Sequence, residues 1–268
     1  MKSKYLWFTD LHLNRVSPIK KVLFINHIIK EKPKAIFLTG DISNGMILYY
    51  DLYLLARFIK CPIYFILGNH DYWNSSIEKT HNKVKLLCDK FPNLIWLSEQ
   101  DFIELNEDVA VIGDEGWFDG RNGNTDYLKL TVDQYFIEDF RHYKSMDEKL
   151  EHWRKMSFES SLKIKDKLQK ALNKGYKTVY ILTHFPPWVE ATRARGTFLE
   201  KFWLPYNTNV KMGQTIEQVM KNRLKSKVIV LCGHIHADTI IHVSSNIECK
   251  VNKDKIFGWL RNEELLFI

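Results

Sequence analysis

The sequence predicts an α/β fold, a two-sheet αβ sandwich with helices outside. Three observations carry this. The N-terminal third alternates apolar strand-like runs with helical stretches. Its strand-like runs are apolar, β-branched and aromatic throughout, as parallel strands covered on both faces are. A second set of such runs returns in the later half, which calls for a second sheet.

The elements follow in order. Residues 4–10 (KYLWFTD) read as a strand. Residues 17–32 (SPIKKVLFINHIIKEK) have helical spacing, with Ser17 placed to cap and Pro18 at the first helical position. Residues 34–41 (KAIFLTGD) are a strand, 46–60 a helix, 62–71 (PIYFILGNHD) a strand and 75–91 a helix. Three short runs at close spacing, 93–99, 101–107 and 109–117, read as a meander. Residues 119–177 are polar, then long, charged and rich in aromatics, and read as a helical insertion or cap over one edge. Residues 177–188 (KTVYILTHFPPW) and 228–238 (VIVLCGHIHAD) return to strand, and the last thirty residues read as antiparallel strands. The whole, 1–268, reads as one domain of two sheets, one from each half.

Composition narrows the classes. Of 268 residues, 45% are hydrophobic and 26% charged, an ordinary globular balance. No apolar run approaches the ~20 residues that span a bilayer, and the N-terminal apolar stretch is too short for a signal peptide. Cys61, Cys88, Cys232 and Cys249 are scattered without a CxxC pair, which points to a reducing, cytoplasmic setting. The net charge of +7 favours anionic partners. Its lysines are dispersed along helical faces, which favours solvated surface over a nucleic-acid patch.

Each strand-like run ends on polar residues: Asp10 and His12; Asp41; Asn69, His70 and Asp71; His184; His234 and His236. Ligands of open α/β sheets bind beyond the carboxyl ends of the strands, so these residues are expected to converge. Carboxylate and imidazole suit Mn²⁺, Zn²⁺, Fe²⁺ or Co²⁺, and the absence of cysteine from the set argues against a structural zinc site. Asp41 has two oxygens with which to bridge two ions. Asn69 offers a neutral amide oxygen. Taken singly, each piece has an ordinary explanation: a loop pair, a helix cap, a turn. The joint pattern in one order is what points to a metal centre.

The pieces DLH, GD, GNHD, H and GHIH, in that order from Asp10 to His236, resemble the calcineurin-like metallophosphoesterase superfamily. The resemblance implies a four-layer α/β/β/α sandwich and a dinuclear centre, with Mn²⁺ the first choice of ion. It implies that Asp10, His12, Asp41 and His236 hold one ion, and that Asp41, Asn69, His184 and His234 hold the other. His70 would face the phosphate and protonate the leaving oxygen, with Asp71 orienting His70. Two ions about 3.5–4 Å apart would activate a bridging hydroxide for in-line attack on phosphorus. The expected activity is hydrolysis of a phosphomonoester or phosphodiester in a small, possibly nucleotide-like substrate. A nuclease of the same superfamily is the alternative within enzymes, and a non-catalytic scaffold the alternative outside them. Arg121 and Asn122, in the loop after residue 113, and Arg193 and Arg195 near Trp188 are candidate substrate contacts. Ordinary exposed loops are the competing reading for both segments.

Overall fold

The computed structural model describes residues 3–192, 200–252 and 264–268. In chain order it carries β1 (Lys4–Phe8), α1 (Pro18–Glu31), β2 (Ala35–Thr39), α2 (Leu48–Phe58), β3 (Ile63–Ile66), α3 (Ile77–Lys90), β4 (Leu94–Trp96), β5 (Ile103–Asn106) and β6 (Val109–Gly113). After these come α4 (Asp133–Phe136), α5 (Met146–Lys174), β7 (Thr178–Leu182), α6 (Glu200–Asn207), α7 (Val210–Met220), β8 (Lys227–Cys232), β9 (Thr239–Ser244), β10 (Ile247–Val251) and β11 (Glu264–Phe267). Short 3-10 turns join several of them.

The strands form two sheets, ordered β11-β1-β2-β3-β4 and β5-β6-β7-β8-β10-β9. Strands β1 to β4 pair in parallel, as do β6, β7, β8 and β10. Alternation along each strand then splits its side chains between two cores. On β1, Tyr5 and Trp7 face an inter-sheet core with Phe37, Tyr64, Tyr180 and Leu231. Leu6 and Phe8 point the other way, onto Phe24 and Ile28 of α1 and Leu52 of α2. On the second sheet Val179, Ile181 and Val230 meet Ile164 and Leu168 of α5 and Ile216 of α7. The result is helix, sheet, sheet, helix. Both faces of the central strands are covered, which is why they read as unbroken apolar runs.

Four local expectations are corrected. The runs at 93–117 are not a meander: β4 closes the first sheet beside β3, while β5 and β6 form an antiparallel pair in the second. The sheets do not divide by chain half, because β11 returns to pair antiparallel with β1. The late strands are antiparallel only in part, since β10 lies parallel to β8. Ser17 is the N-cap residue of α1, but its side chain makes no capping hydrogen bond.

The stretch 119–177 is helical in two ways. Its first part holds α4 between 3-10 turns. Its second is α5, whose C-terminal half covers the second sheet and leads into β7. Arg193 and Arg195 lie outside the described residues.

Candidate metal centre

Parallel pairing brings the carboxyl ends of β1, β2 and β3 to one edge of their sheet, and those of β7 and β8 to one edge of theirs. The chain turns sharply where each strand stops. Among the described residues other than glycine, positive φ occurs at Asp10, His12, Lys32, Asp41, Asn74, His234 and His236. Five of these belong to the expected ligand set. Left-handed backbone is unfavourable for residues with a Cβ and persists where the surroundings impose it. Here it aims side chains from consecutive loop positions over the strand ends. Close approach of the loops also fixes two glycines. A Cβ on Gly68 would lie 2.2 Å from Asp41 Oδ1, and one on Gly233 would lie 1.9 Å from Thr9 Oγ1.

The side chains meet as expected. Asp10, His12 and His236 each place a ligand atom within 4.8 Å of the others, as do Asp10, Asp41 and His184, and also His12, Asp41 and His70. Asp41 sits between groups: its Oδ1 lies 3.3 Å from His184 Nε2 and its Oδ2 3.7 Å from His12 Nε2. His236 Nε2 is 3.5 Å from Asp10 Oδ1. Asn69 Oδ1 lies 3.1 Å from His184 Nε2. The His234 ring centroid stands 5.2 Å from that of His184, and its backbone N–H donates to the Asp10 carboxylate. That bond ties the second sheet to the first.

The donor set fits divalent cations. His12 is fully buried, yet neither ring nitrogen has a hydrogen-bond partner. A buried polar atom without a partner costs about 1–3 kcal/mol, and a metal ion would remove that cost. Burial lowers the His12 pKa against the pull of Asp41 and Asp10, which keeps the ring in its neutral, ligating form. His184 faces only acceptors: Thr39 O at 2.8 Å from Nδ1, and Asn69 Oδ1 and Asp41 Oδ1 near Nε2. Burial works against its charge, but the Asp41 carboxylate outweighs that and raises His184 to about 9. A cation received by those acceptors would therefore have to displace a proton from His184.

His70 is the ring at the rim, with its side chain 16% exposed and its Nε2 3.8 Å from Asp41 Oδ2. Asp71 does not orient it, contrary to expectation. The Asp71 carboxylate accepts backbone N–H bonds from Gly68, Ile42 and Ser43, and so staples the loops after β2 and β3 together. His70 is instead backed by Trp73, stacked at 3.5 Å between centroids and 28° between planes. Trp73 stacks in turn on Phe136 of α4.

Several residues at the site escape a reading of the sequence. Asp133, at the start of α4, accepts from Asn69 Nδ2 (3.0 Å), Trp73 Nε1 (2.7 Å) and the Tyr206 hydroxyl (3.1 Å). Burial pushes the Asp133 carboxyl up to about 6 against those three donors, which leaves it ionised at neutral pH. Arg15 is exposed and close enough for its charge to lower both His12 and His70. Its place three residues after His12 is a local signal that was available. Nothing local marks Asp133 or Tyr206. Arg121 pairs with Asp119 (3.3 Å), and none of its contacts among the described residues reaches an expected ligand. Asn122 is half-buried in the same loop.

The family profile described as calcineurin-like phosphoesterase matches residues 3–238. An uncharacterised protein of Acanthamoeba polyphaga mimivirus is 27% identical over 197 residues, 68% of this chain and 67% of that one. Among solved structures, a phosphopantetheinyl hydrolase from Mycobacterium tuberculosis superposes with a TM-score of 0.66 at 15% identity, covering 100% of this chain and 96% of that one. A dimetal phosphatase from Danio rerio gives 0.58 at 12% identity, covering 95% and 88%. Together with the convergence of its five motif pieces on one edge of the sandwich, the match over nearly its whole length places this chain among the calcineurin-like phosphoesterases, metal-dependent enzymes that cleave phosphate esters.

Proposed function

We propose that the protein hydrolyses a phosphomonoester or phosphodiester of a small molecule at a two-metal site. Asp10, His12, Asp41 and His236 would hold one ion, and Asp41, Asn69, His184 and His234 the other. The observation that carries this is His12: its imidazole is wholly buried with both nitrogens unpartnered, amid the carboxylates of Asp10 and Asp41. Mn²⁺ is our first choice, with Fe²⁺, Zn²⁺ and Co²⁺ compatible with the same oxygen and nitrogen donors.

Divalent ions held there would supply Lewis-acid stabilisation of phosphoryl oxygens and would make a nearby water acidic enough to react at neutral pH. The chain supplies position. Asp41 lies between the two ligand groups, and its Oδ1 accepts the His70 backbone N–H at 2.9 Å, which fixes the loop carrying that ring. His70 meets the leaving group from the rim, with Trp73 preventing it from swinging back. Arg15 adds positive charge on the same side and is suited to an anionic substrate. The segment from 119 to α4 backs Trp73, with Phe136 stacked on its ring and Asp133 accepting its Nε1–H, and in our reading it narrows the approach. That favours small substrates, in keeping with a structural relative named for phosphopantetheinyl hydrolysis. Cys61, Cys88, Cys232 and Cys249 are free thiols, which supports a reducing, cytoplasmic workplace. Among the described residues no helix is long and apolar enough to cross a membrane.

The test is a matrix of metals and substrates. Chelated protein reloaded with Mn²⁺, Fe²⁺, Zn²⁺, Co²⁺ or Mg²⁺ is assayed on a monoester, a diester, cyclic nucleotides, phosphopantetheinyl peptide and single-stranded DNA. Activity with at least one small ester and none without metal is expected. Inactivity in every combination would end the proposal, and cleavage of DNA alone would turn it into a nuclease.

A further inference from the structure

An amide that ligates through oxygen must be held the right way round, because its two ends differ only in what they bond. Asn69 has both amide protons engaged: Nδ2 donates to Asp133 Oδ1 at 3.0 Å and to the Tyr206 hydroxyl oxygen at 2.9 Å. Flipping the amide would set its carbonyl oxygen against a carboxylate. Oδ1 is left facing His184 and the site. The same Asp133 oxygen accepts Trp73 Nε1 at 2.7 Å, and the Trp73 ring is the one stacked on His70. Asp133 Oδ2 accepts the Tyr206 hydroxyl at 3.1 Å. All three donors are side chains, from the loop after β3 and from α6, and Asp133 is fully buried among them.

We propose that Asp133 is a positioning residue that sets two sides of the centre at once, turning the Asn69 amide oxygen toward its metal ion and holding Trp73 as the backing of His70. The proposal rests on the reading of Asn69 as a ligand. It gives the segment between β6 and α5 a part in metal binding as well as in access. Groups that hold metal ligands from behind typically govern affinity by about 10- to 100-fold.

The experiment is titration of metal-free protein with Mn²⁺, followed by calorimetry and by the EPR signal of the free ion. Wild type is compared with Asp133→Asn, Asp133→Ala, Tyr206→Phe and Asn69→Ala, and thermal unfolding of each metal-free variant is recorded. Wild type is expected to bind two ions. In Asp133→Ala one ion should keep its affinity while the other weakens about 10- to 100-fold, matching Asn69→Ala. Asp133→Asn should recover part of the loss, because its one amide oxygen can still accept from Asn69 Nδ2 and Trp73 Nε1 without the charge, while its NH2 group replaces the oxygen that accepts from Tyr206. Tyr206→Phe, which removes the neutral acceptor on Nδ2 and leaves the Asp133 carboxylate on both Nδ2 and Trp73, should fall between wild type and Asp133→Ala. Wild-type affinity at both ions in Asp133→Ala, alongside a weakened Asn69→Ala, would overturn the positioning role alone. Unchanged binding in Asn69→Ala would remove the ligand reading and this inference with it. Equal weakening of both ions in every Asp133 variant, in step with a fall in metal-free Tm, would reduce Asp133 to a structural part.

Discussion

At His70 two demands conflict. Burial pushes its imidazole down to about 3, against the opposing pull of Asp41, yet protonating a leaving oxygen needs the charged ring. A phosphate brought against the ring supplies negative charge that raises its pKa in the complex. His70→Ala should therefore keep both metal ions by elemental analysis and lose about 10²- to 10⁴-fold in kcat. The loss should be largest for esters with poor leaving groups, and equal losses for good and poor leaving groups would remove the acid role. Gly68→Ala is predicted to fail differently. Its new Cβ would stand 2.2 Å from Asp41 Oδ1 and 2.4 Å from Asp41 N, so the Asp41 carboxylate must move, and metal content should fall below one ion per chain. The candidate ligands were legible in sequence because each strand end leaves a polar residue in a short motif. Asp133 and Tyr206 were not, since their bonds to Asn69 span 64 and 137 positions. Asp71 was misassigned for a physical reason: adjacency along the chain says nothing of which donors a buried carboxylate will find, and here it found backbone N–H groups.

Elements were legible as types more than as neighbours. α1, α2 and α3 fell where apolar spacing placed them, α7 (Val210–Met220) was not read, and a strand buried on both faces carries no mark of which sheet it joins. That is why β4 and β5 read as consecutive although they belong to different sheets, and why the return of β11 to β1 was missed. α5 shows the same limit. Its charged sequence suggested an appendage, yet Ile164, Leu168, Ala171 and Leu172 are buried against the second sheet, and Lys167 donates to the carbonyls of Leu97, Ser98 and Gly113. If α5 is a layer of the fold, Leu168→Ala should destabilise the whole domain by about 2–5 kcal/mol, read as one shifted transition in urea. A helix merely laid over the domain would give a loss under about 0.5 kcal/mol or a separate early transition.

Across the whole molecule, the candidate metal centre lies at the seam between two sheets, so its occupancy should govern global stability. Ligand at about 100-fold excess over Kd adds about 2.7 kcal/mol, and for a chain of this size each kcal/mol moves Tm by about 2–4 °C. Chelation at neutral pH is thus expected to lower Tm by several degrees in a single transition. The size of that shift should depend on pH through His184. In the metal-free chain its pKa is raised from 6.5 to about 9, with burial opposing the charge and Asp41 overcoming it. Stability from the charged His184 is then fully present below about pH 6.5 and is lost as pH rises through about 9. With a cation bound, His184 would be neutral and would lose nothing over that window, while metal binding at lower pH would first have to expel the proton. The gap in Tm between Mn²⁺-loaded and chelated protein should therefore widen from pH 6.5 to 8.5, with proton release on binding that shrinks toward the higher pH. Scanning calorimetry of both forms under anaerobic conditions at pH 6.5, 7.5 and 8.5 measures it. A gap that stays constant or narrows would mean that His184 does not carry the proton that the cation replaces, and that the two sheets are joined by something other than this exchange.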